Sequence, residues 1–400
     1  MSSTALSQAR RLPRGVIALG LVSLCMDASS ELVHSVLPVF LVTVLGASAI
    51  TVGVLEGIAE ATAAITKVFS GVLSDRWQRR KGLVLAGYGL AALTKPLFPL
   101  AESISWVLTA RFLDRIGKGI RGAPRDALIA DLVAPDQRNA AYGLRQSLDS
   151  VGAFLGPLSA IGLLLLLQND LRLVLWVAVV PAVLAVLVLM FGVEEPRPGA
   201  SGVTRTAGPL PVRLAWNADL HSLGRRYWAV VGLGAVIAMA RFSEAFLVLR
   251  ARQIGLPLEW VPAIIMVLSL VYAASAYPTG LAARRWSRRT LLGWGLVALI
   301  LADLVLATAE SATVVFVGVA LWGLHMGLTQ GLLAALIADA VDPKRAGTAF
   351  GFFNLATGVC LLAASTLAGL LWESVGAAAT FYAGAAFSAM AVAGLLLYRR

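Results

Sequence analysis

Along its 400 residues the chain divides into about twelve apolar segments, near 15–45, 50–74, 82–101, 104–131, 138–166, 172–192, 227–250, 258–283, 290–309, 312–340, 347–371 and 375–398. A helix needs about 20 mainly apolar residues to cross a bilayer. Within lipid only helices and closed barrels satisfy their backbone groups, and these runs are too long for barrel strands. The expectation is an all-α integral membrane protein with twelve transmembrane helices. Only 14% of the residues are charged and 58% are hydrophobic, whereas soluble domains carry about 25% charged residues. That balance excludes a soluble globule, a disordered chain and a disulfide scaffold; Cys25 and Cys360 both lie inside apolar runs. The first segment follows a basic flank, as in a signal peptide. No small-residue cleavage site follows it and the apolar stretch resumes at Leu32, so it is expected to remain as a span.

Charge orients the chain. The 33 Lys and Arg against 22 Asp and Glu give a net charge of +11, which in a soluble protein would suggest nucleic acid. Here the bases gather in alternate connections: Arg10, Arg11 and Arg14; Arg76, Arg79, Arg80 and Lys81; Arg225 and Arg226; Arg284, Arg285, Arg288 and Arg289; Arg399 and Arg400. The intervening loops, around 46–50, 168–172 and 372–376, carry almost no net positive charge. Basic loops stay on the cytoplasmic side, so the expectation is the inner membrane with both termini cytoplasmic, a lipid partner and no nucleic acid.

The halves repeat. Ala127-Leu-Ile-Ala-Asp131, with Val133, Pro135, Ala141 and Gly143, returns 208 positions later as Ala335-Leu-Ile-Ala-Asp339, with Val341, Pro343, Ala349 and Gly351. Gly71, Arg76-Trp77 and Arg79-Arg80 return one position further on as Gly280, Arg285-Trp286 and Arg288-Arg289. A repeat of half the chain predicts two pseudo-symmetric six-helix bundles, 1–193 and 227–400, joined by a cytoplasmic linker, 194–226, that holds Pro196, Pro198, Pro209 and Pro211. Six helices per copy make the copies parallel, an arrangement typical of one class of secondary transporters.

Three motifs carry a family resemblance. Gly71-Val-Leu73-Ser-Asp75-Arg76-Trp-Gln-Arg79-Arg80 resembles the loop between helices two and three of the major facilitator superfamily (MFS), with Gln78 in place of the usual glycine. Arg111-Phe-Leu-Asp-Arg-Ile-Gly117-Lys-Gly119 resembles its fourth-helix motif, with Asp114 and Arg115 where glutamine and glycine are common. Gly152-Ala-Phe-Leu-Gly156-Pro157 resembles the fifth-helix motif of antiporters, with Ala160 replacing the last glycine. More narrowly, Asp27-Ala-Ser-Ser-Glu31, Gly117 to Asp126 and Arg241-Phe-Ser-Glu244 are similar to a prokaryotic branch whose substrates are mostly unassigned. The resemblance implies that Asp75 caps the start of helix eleven near Gly347 and that Arg79 pairs with Asp131. It gives Arg76 and Arg80 a share in the same gating loop.

An ionisable group at mid-membrane costs about 2.5–3.5 kcal/mol, so such groups are the candidates for chemistry. Asp27, Glu31, His34 and Pro38 share one helical face. Asp27 lies roughly 18 Å beyond Gly15, near the bilayer centre. Helix four carries a stripe of Arg111, Asp114, Arg115, Lys118, Arg121, Arg125 and Asp126, which against lipid would cost roughly 20 kcal/mol. The stripe must therefore face water or carboxylates. Glu56 and Glu60 share a face with Lys67, and Arg145 lies one turn from Asp149. Near-balance of acids and bases predicts an internal network of structural pairs. Arg111 is the exception, its depth and its place in the fourth-helix motif implying that it tunes Asp27 or holds substrate, while Lys95 snorkels to the outer surface. In the second half, Arg241 and Glu244 are spaced to pair in helix seven, and Asp303 stands at the repeat position of Lys95. Phe242, Phe246 and Trp322 would wall the cavity, and Arg284, Arg285, Arg288 and Arg289 would serve topology.

The resulting expectation is a monomeric secondary transporter, not an enzyme and without cofactor or resident metal. It would work by alternating access, exporting a small molecule in exchange for protons. Coupling would lie in the first half, on Asp27, Glu31, His34, Arg111, Asp114, Arg115, Lys118, Arg121, Arg145 and Asp149, with Arg241 and Glu244 from the second. Two other cargoes fit the composition: an organic anion or phosphometabolite on the basic stripe, or a divalent metal held by Asp27, Glu31, His34 and Glu56. No Walker-type glycine loop or Asp-rich metal motif points to a membrane enzyme, and a receptor would bind without flux.

Overall fold

The computed structural model describes residues 12–77, 80–195, 223–341 and 346–397. The linker prolines Pro196, Pro198, Pro209 and Pro211 lie outside these residues. The twelve spans, as described, are α1 Arg14–Thr43, α2 Ala49–Trp77, α3 Arg80–Thr94, α4 Ile104–Leu132, α5 Arg138–Leu166, α6 Leu171–Gly192, α7 Gly224–Gln253, α8 Ala263–Ala282, α9 Arg288–Ala307, α10 Ala312–Ala340, α11 Ala346–Ser374 and α12 Ala377–Leu397. Among the described residues there is no strand. Ten of the helices are long and apolar enough to cross a membrane. The exceptions are α3, with 15 residues, and the charged α4.

Local chemistry starts and breaks these helices. Ser103 accepts from the Trp106 N–H at the start of α4, Asp170 from Arg172 and Leu173 at α6, and Ser287 from Thr290 at α9, each satisfying an orphan donor. Pro181 lacks the N–H that would bond the Val177 carbonyl, and α6 is interrupted at Ala178. The interruption leaves the Ala178 carbonyl to accept from Ser29 Oγ at 2.7 Å. Helix α7 is also discontinuous, as Gly224–Ala240 and Ala245–Gln253. At its break the Ser243 N–H donates to Ser365 Oγ of α11, 3.1 Å away. A broken helix inside a membrane bundle is tolerated where neighbours satisfy the freed groups in this way.

The repeat is visible in the helices themselves. Spans α4 and α5 are 29 residues each, and α10 and α11 begin and end 208 positions after them. Where α1 and α7 start in equivalent places, Glu31 and His34 correspond to Arg241 and Glu244. Within each bundle the close pairs match: α1 against α5 as α7 against α11, α2 against α4 as α8 against α10, and α3 against α4 as α9 against α10. Between bundles, α2 lies antiparallel along α11, and α5 packs on α8.

The hydrophobic cores show how the bundles meet. At the end where α1 finishes, here the far end, one continuous core joins Val36 and Phe40 of α1 to Phe246 and Leu249 of α7. At the near end, where α1 begins, each bundle has its own core: Val22, Leu128 and Leu189 in the first, Ile237, Leu292 and Ile337 in the second. The apolar core is thus shared at the far end and divided at the near end, while α2 and α11 stay in contact along their length.

Candidate functional site

A cavity of about 350 Å³ lies between the bundles, lined by Asp27 and Glu31 of α1, Glu60 and Lys67 of α2, Lys118, Arg121 and Arg125 of α4, Asp149 of α5 and Asn354 of α11. Nearly every polar group facing it comes from the first bundle. The charged stripe of α4 is thus placed against carboxylates and an aqueous space, which removes the cost of facing lipid.

The stripe is built as a ladder. Helices α2 and α4 both run from the far end, and their acids and bases repeat at i, i+4, so rungs form in register. Arg111 Nη2 meets Glu56 Oε2 at 2.8 Å, each side chain 2% exposed. One turn on, Arg115 Nη2 meets Glu60 Oε1 at 3.2 Å. From α3, Lys95 Nζ reaches Asp114 Oδ1 at 2.9 Å and Ser30 Oγ at 3.1 Å. Lys95 therefore does not snorkel to the surface. Its side chain is 1% exposed, because the 3-10 turn Lys95–Leu97 follows α3 inside the bundle. Nor does Arg111 face Asp27, since Glu56 occupies it.

Asp27 is held more loosely. Its closest cation is Arg121, with Nη2 4.0 Å from Oδ1. Arg121 itself stacks on Tyr88, 4.6 Å from the ring centroid. Glu31 Oε2 lies 3.3 Å from His34 Nδ1. Below them Arg145 bridges Asp149 at 2.9 Å and Asp126 at 3.7 Å, and Arg125 donates to Ser23 Oγ at 3.0 Å. Close packing of α5 sets this geometry: a Cβ at Gly152 would stand 2.5 Å from the Leu24 carbonyl, and one at Gly156 2.6 Å from that of Ala28. Pro157 lies within the same helix.

Some expectations are corrected. Arg241 and Glu244 form no ion pair within 4.0 Å among the described residues, because the break in α7 abolishes the helical spacing that would bring them together. Phe242, Phe246 and Trp322 do not wall the large cavity. They pack with Phe381 and Trp372, ring centroids 5.2 to 6.3 Å apart, as a buried aromatic plug. The proposed metal ligands do not converge: Glu56 is committed to Arg111, and no group of three such ligands occurs among the described residues. Arg288 has more than a topological role, since it pairs with Asp339 and reaches the Ala335 carbonyl at 3.4 Å. Its structural counterpart is Arg80, at an offset of 208, where the motif alignment matches Arg79 instead; Arg80 pairs with Asp131 at 2.8 Å and with the Ala127 carbonyl at 2.7 Å. Arg80 thus holds Asp131, and the pair expected between Arg79 and Asp131 falls on a residue outside the described ones. Arg79 itself, and the side chains of Asp75 and Arg76, lie outside the description.

Two site features were not anticipated. Tyr88 and Ser23 complete the arginine environment, and Asn354 is the second bundle's one polar side chain on the large cavity among those described. An amide in the first third of a mainly apolar α11 was the available signal. Asp303 is fully buried, with neither carboxylate oxygen hydrogen-bonded among the described residues.

The Major Facilitator Superfamily model matches residues 19–280 and 249–400. An uncharacterized MFS-type transporter of Methanocaldococcus jannaschii is 29% identical over 394 residues, 97% of this chain and 95% of that protein. The multidrug resistance protein MdtH of Proteus mirabilis is 27% identical, over 78% of this chain and 75% of its own. Among solved structures, a bacterial homolog of the human lysosomal transporter Spinster superposes with a TM-score of 0.76 at 17% identity, over 99% of this chain and 97% of that one. The nucleoside transporter NupG gives 0.74 at 12% identity, over 96% and 97%.

Proposed function

The chain belongs to the Major Facilitator Superfamily, and from that premise we propose that it exports a small molecule across the inner membrane in exchange for protons. The observation that carries this reading is the contrast among the acids of the first bundle. Glu56 and Asp114 are tied to cations at 2.8 and 2.9 Å, whereas Asp27 faces the cavity with its nearest cation at 4.0 Å. A carboxylate locked in a short buried pair cannot readily change charge. One that is loosely paired beside water can take up and release a proton. Glu31, with His34 against it, is the second group on the same face.

In this mechanism the bundles rock about the cavity, and the near end, with both termini, is cytoplasmic. Substrate enters from that side while Asp27 is ionised. After the near end closes and the far end opens, Asp27 takes up a proton from outside as substrate leaves; proton loss to the cytoplasm resets the site. The glycines of α5 and the similarity to a multidrug resistance protein favour export over uptake.

The test uses everted membrane vesicles energised to an acidic interior, with a pH-sensitive dye reporting proton efflux as compounds are added singly. Wild-type protein should discharge the gradient with its substrates, and Asp27→Asn should not. Substrate movement indifferent to the gradient, or coupling that persists in Asp27→Asn, would overturn the reading.

A further inference from the structure

We propose that the transported molecule carries an anionic oxygen group, a carboxylate or a phosphate, which seats on Lys118, Lys67 and Arg121 and accepts a hydrogen bond from Asn354. This identifies the substrate class of the cavity and rests on its being the transport site.

The argument begins with a rung that is missing. On α2 the acids fall at Glu56 and Glu60, and the next turn brings Ala63 and Ala64. On α4 the bases continue past Arg111 and Arg115 to Lys118. The first two rungs are closed by protein carboxylates, but at the third the cation remains and its anion is absent. Ala63, Ala64 and Lys118 all line the cavity. Close approach of the helices there is fixed, since a Cβ at Gly119 would meet Ala63 O at 3.1 Å. Lys118 is therefore held opposite a space that small side chains leave open.

Two further cations converge on that space. Lys67 runs beside Gly122 of α4, its Cε 3.9 Å from where a Cβ there would stand. Neither Lys67 nor Lys118 has an ion pair within 4.0 Å among the described residues. Arg121 is 4% exposed, yet its Nη1 is buried without a hydrogen-bond partner. Three of the four cavity acids are engaged elsewhere, Glu60 by Arg115, Asp149 by Arg145 and Glu31 by His34, and the fourth, Asp27, stands 4.0 Å from Arg121. When the near end closes and water leaves, unpaired cations become costly. An incoming oxyanion removes that cost through charge-assisted hydrogen bonds.

Asn354 gives the anion a second function. Helix α11 crosses α2 where Gly358 meets Ala61 and Ala64 and Gly351 meets Val68, so Asn354 reaches the same space from the other bundle. An anion held by α2, α4 and α11 together binds both halves at once, which is what a substrate must do to favour their closure.

The test reads thermal unfolding of the purified full-length protein in detergent, titrated with glycerol 3-phosphate, succinate and inorganic phosphate. Sodium chloride and choline chloride at matched ionic strength are the controls. At least one of the three anions should give a saturable upward shift of the midpoint; glycerol 3-phosphate or inorganic phosphate identifies a phosphate ligand, succinate a carboxylate. Lys118→Gln and Lys67→Gln should each weaken apparent affinity about tenfold, the loss of one charge-assisted hydrogen bond, and Lys118→Arg should retain it. No saturable shift with any of the three, a shift only with choline, or a shift that survives Lys67→Gln combined with Lys118→Gln would overturn the proposal. The assay needs no gradient. Failure here with proton-coupled flux intact removes the anion subsite alone, and anion binding without coupled flux removes proton exchange alone.

Discussion

The Arg111–Glu56 rung is the sharpest test of how individual charges survive in this membrane interior. Both side chains are buried, and Glu56 Oε1 and Arg111 Nε have no hydrogen-bond partner among the described residues. Arg111→Ala leaves a carboxylate buried and uncompensated, a change that costs about 3–5 kcal/mol. The double variant Arg111→Met with Glu56→Leu removes both charges and should recover most of that loss. Unfolding midpoints of the singles and the double, combined as a cycle, check this; a single variant as stable as wild type would mean that the rung is not formed. The need for a partner was legible in the sequence, because seven charges on one helix require one. Which partner was not. Depth and motif position match Arg111 with Asp27, but neither reveals that α2 and α4 descend side by side, which hands Arg111 to Glu56 and leaves Asp27 to Arg121. Lys95 failed for the same reason: a position near a span end reads as surface until the neighbouring Asp114 is placed.

At the scale of elements, the glycines of α5 position the acids of α1. A Cβ at Gly152 would lie 3.1 Å from Asp27 Cβ, and one at Gly156 2.9 Å from Glu31 Cβ, so even a methyl group at either position drives the helices apart. Gly152→Ala and Gly156→Ala should lower both coupled flux and unfolding midpoint. Gly143→Ala, where nothing lies within 4 Å, should change neither, apart from a small gain in helix propensity. Wild-type flux in Gly156→Ala would show that the contact does not set the site. This packing was legible as a glycine spacing with a proline, because close helix approach needs small residues at fixed intervals. The break in α7 was not. Residues 238–245 contain neither proline nor glycine, and the chain is interrupted where it meets Ser365, a contact 122 positions away. Local pattern cannot report an interruption satisfied by a distant helix.

For the whole molecule, duplication has been followed by division of labour. Both halves keep an arginine–aspartate clamp at the near end, Arg80–Asp131 and Arg288–Asp339. The charged stripe is different: at the 208-residue offset Arg111, Arg115, Lys118 and Arg121 become Val319, Gly323, Met326 and Thr329. The first bundle holds the charges that line the large cavity and the second lends it Asn354, so the state of the transporter depends on how the two meet. In this structure they meet at the far end, where a Cβ at Gly369 would stand 2.6 Å from Ile50 Cα. Gly369→Leu places a wedge in that seam and costs free energy only in the state that closes it, which is the condition for shifting a population. Each 1.4 kcal/mol of differential strain moves the balance about tenfold. The readout is a cysteine at the cavity residue Ala153, in a background lacking Cys25 and Cys360, labelled by an impermeant thiol reagent from one face of the membrane at a time. Gly369→Leu should slow labelling from the face bearing the termini and speed it from the other. Unchanged labelling from both faces would mean that closure of the far end does not oppose opening of the near end, and with it the rocking of two bundles about one site would fall.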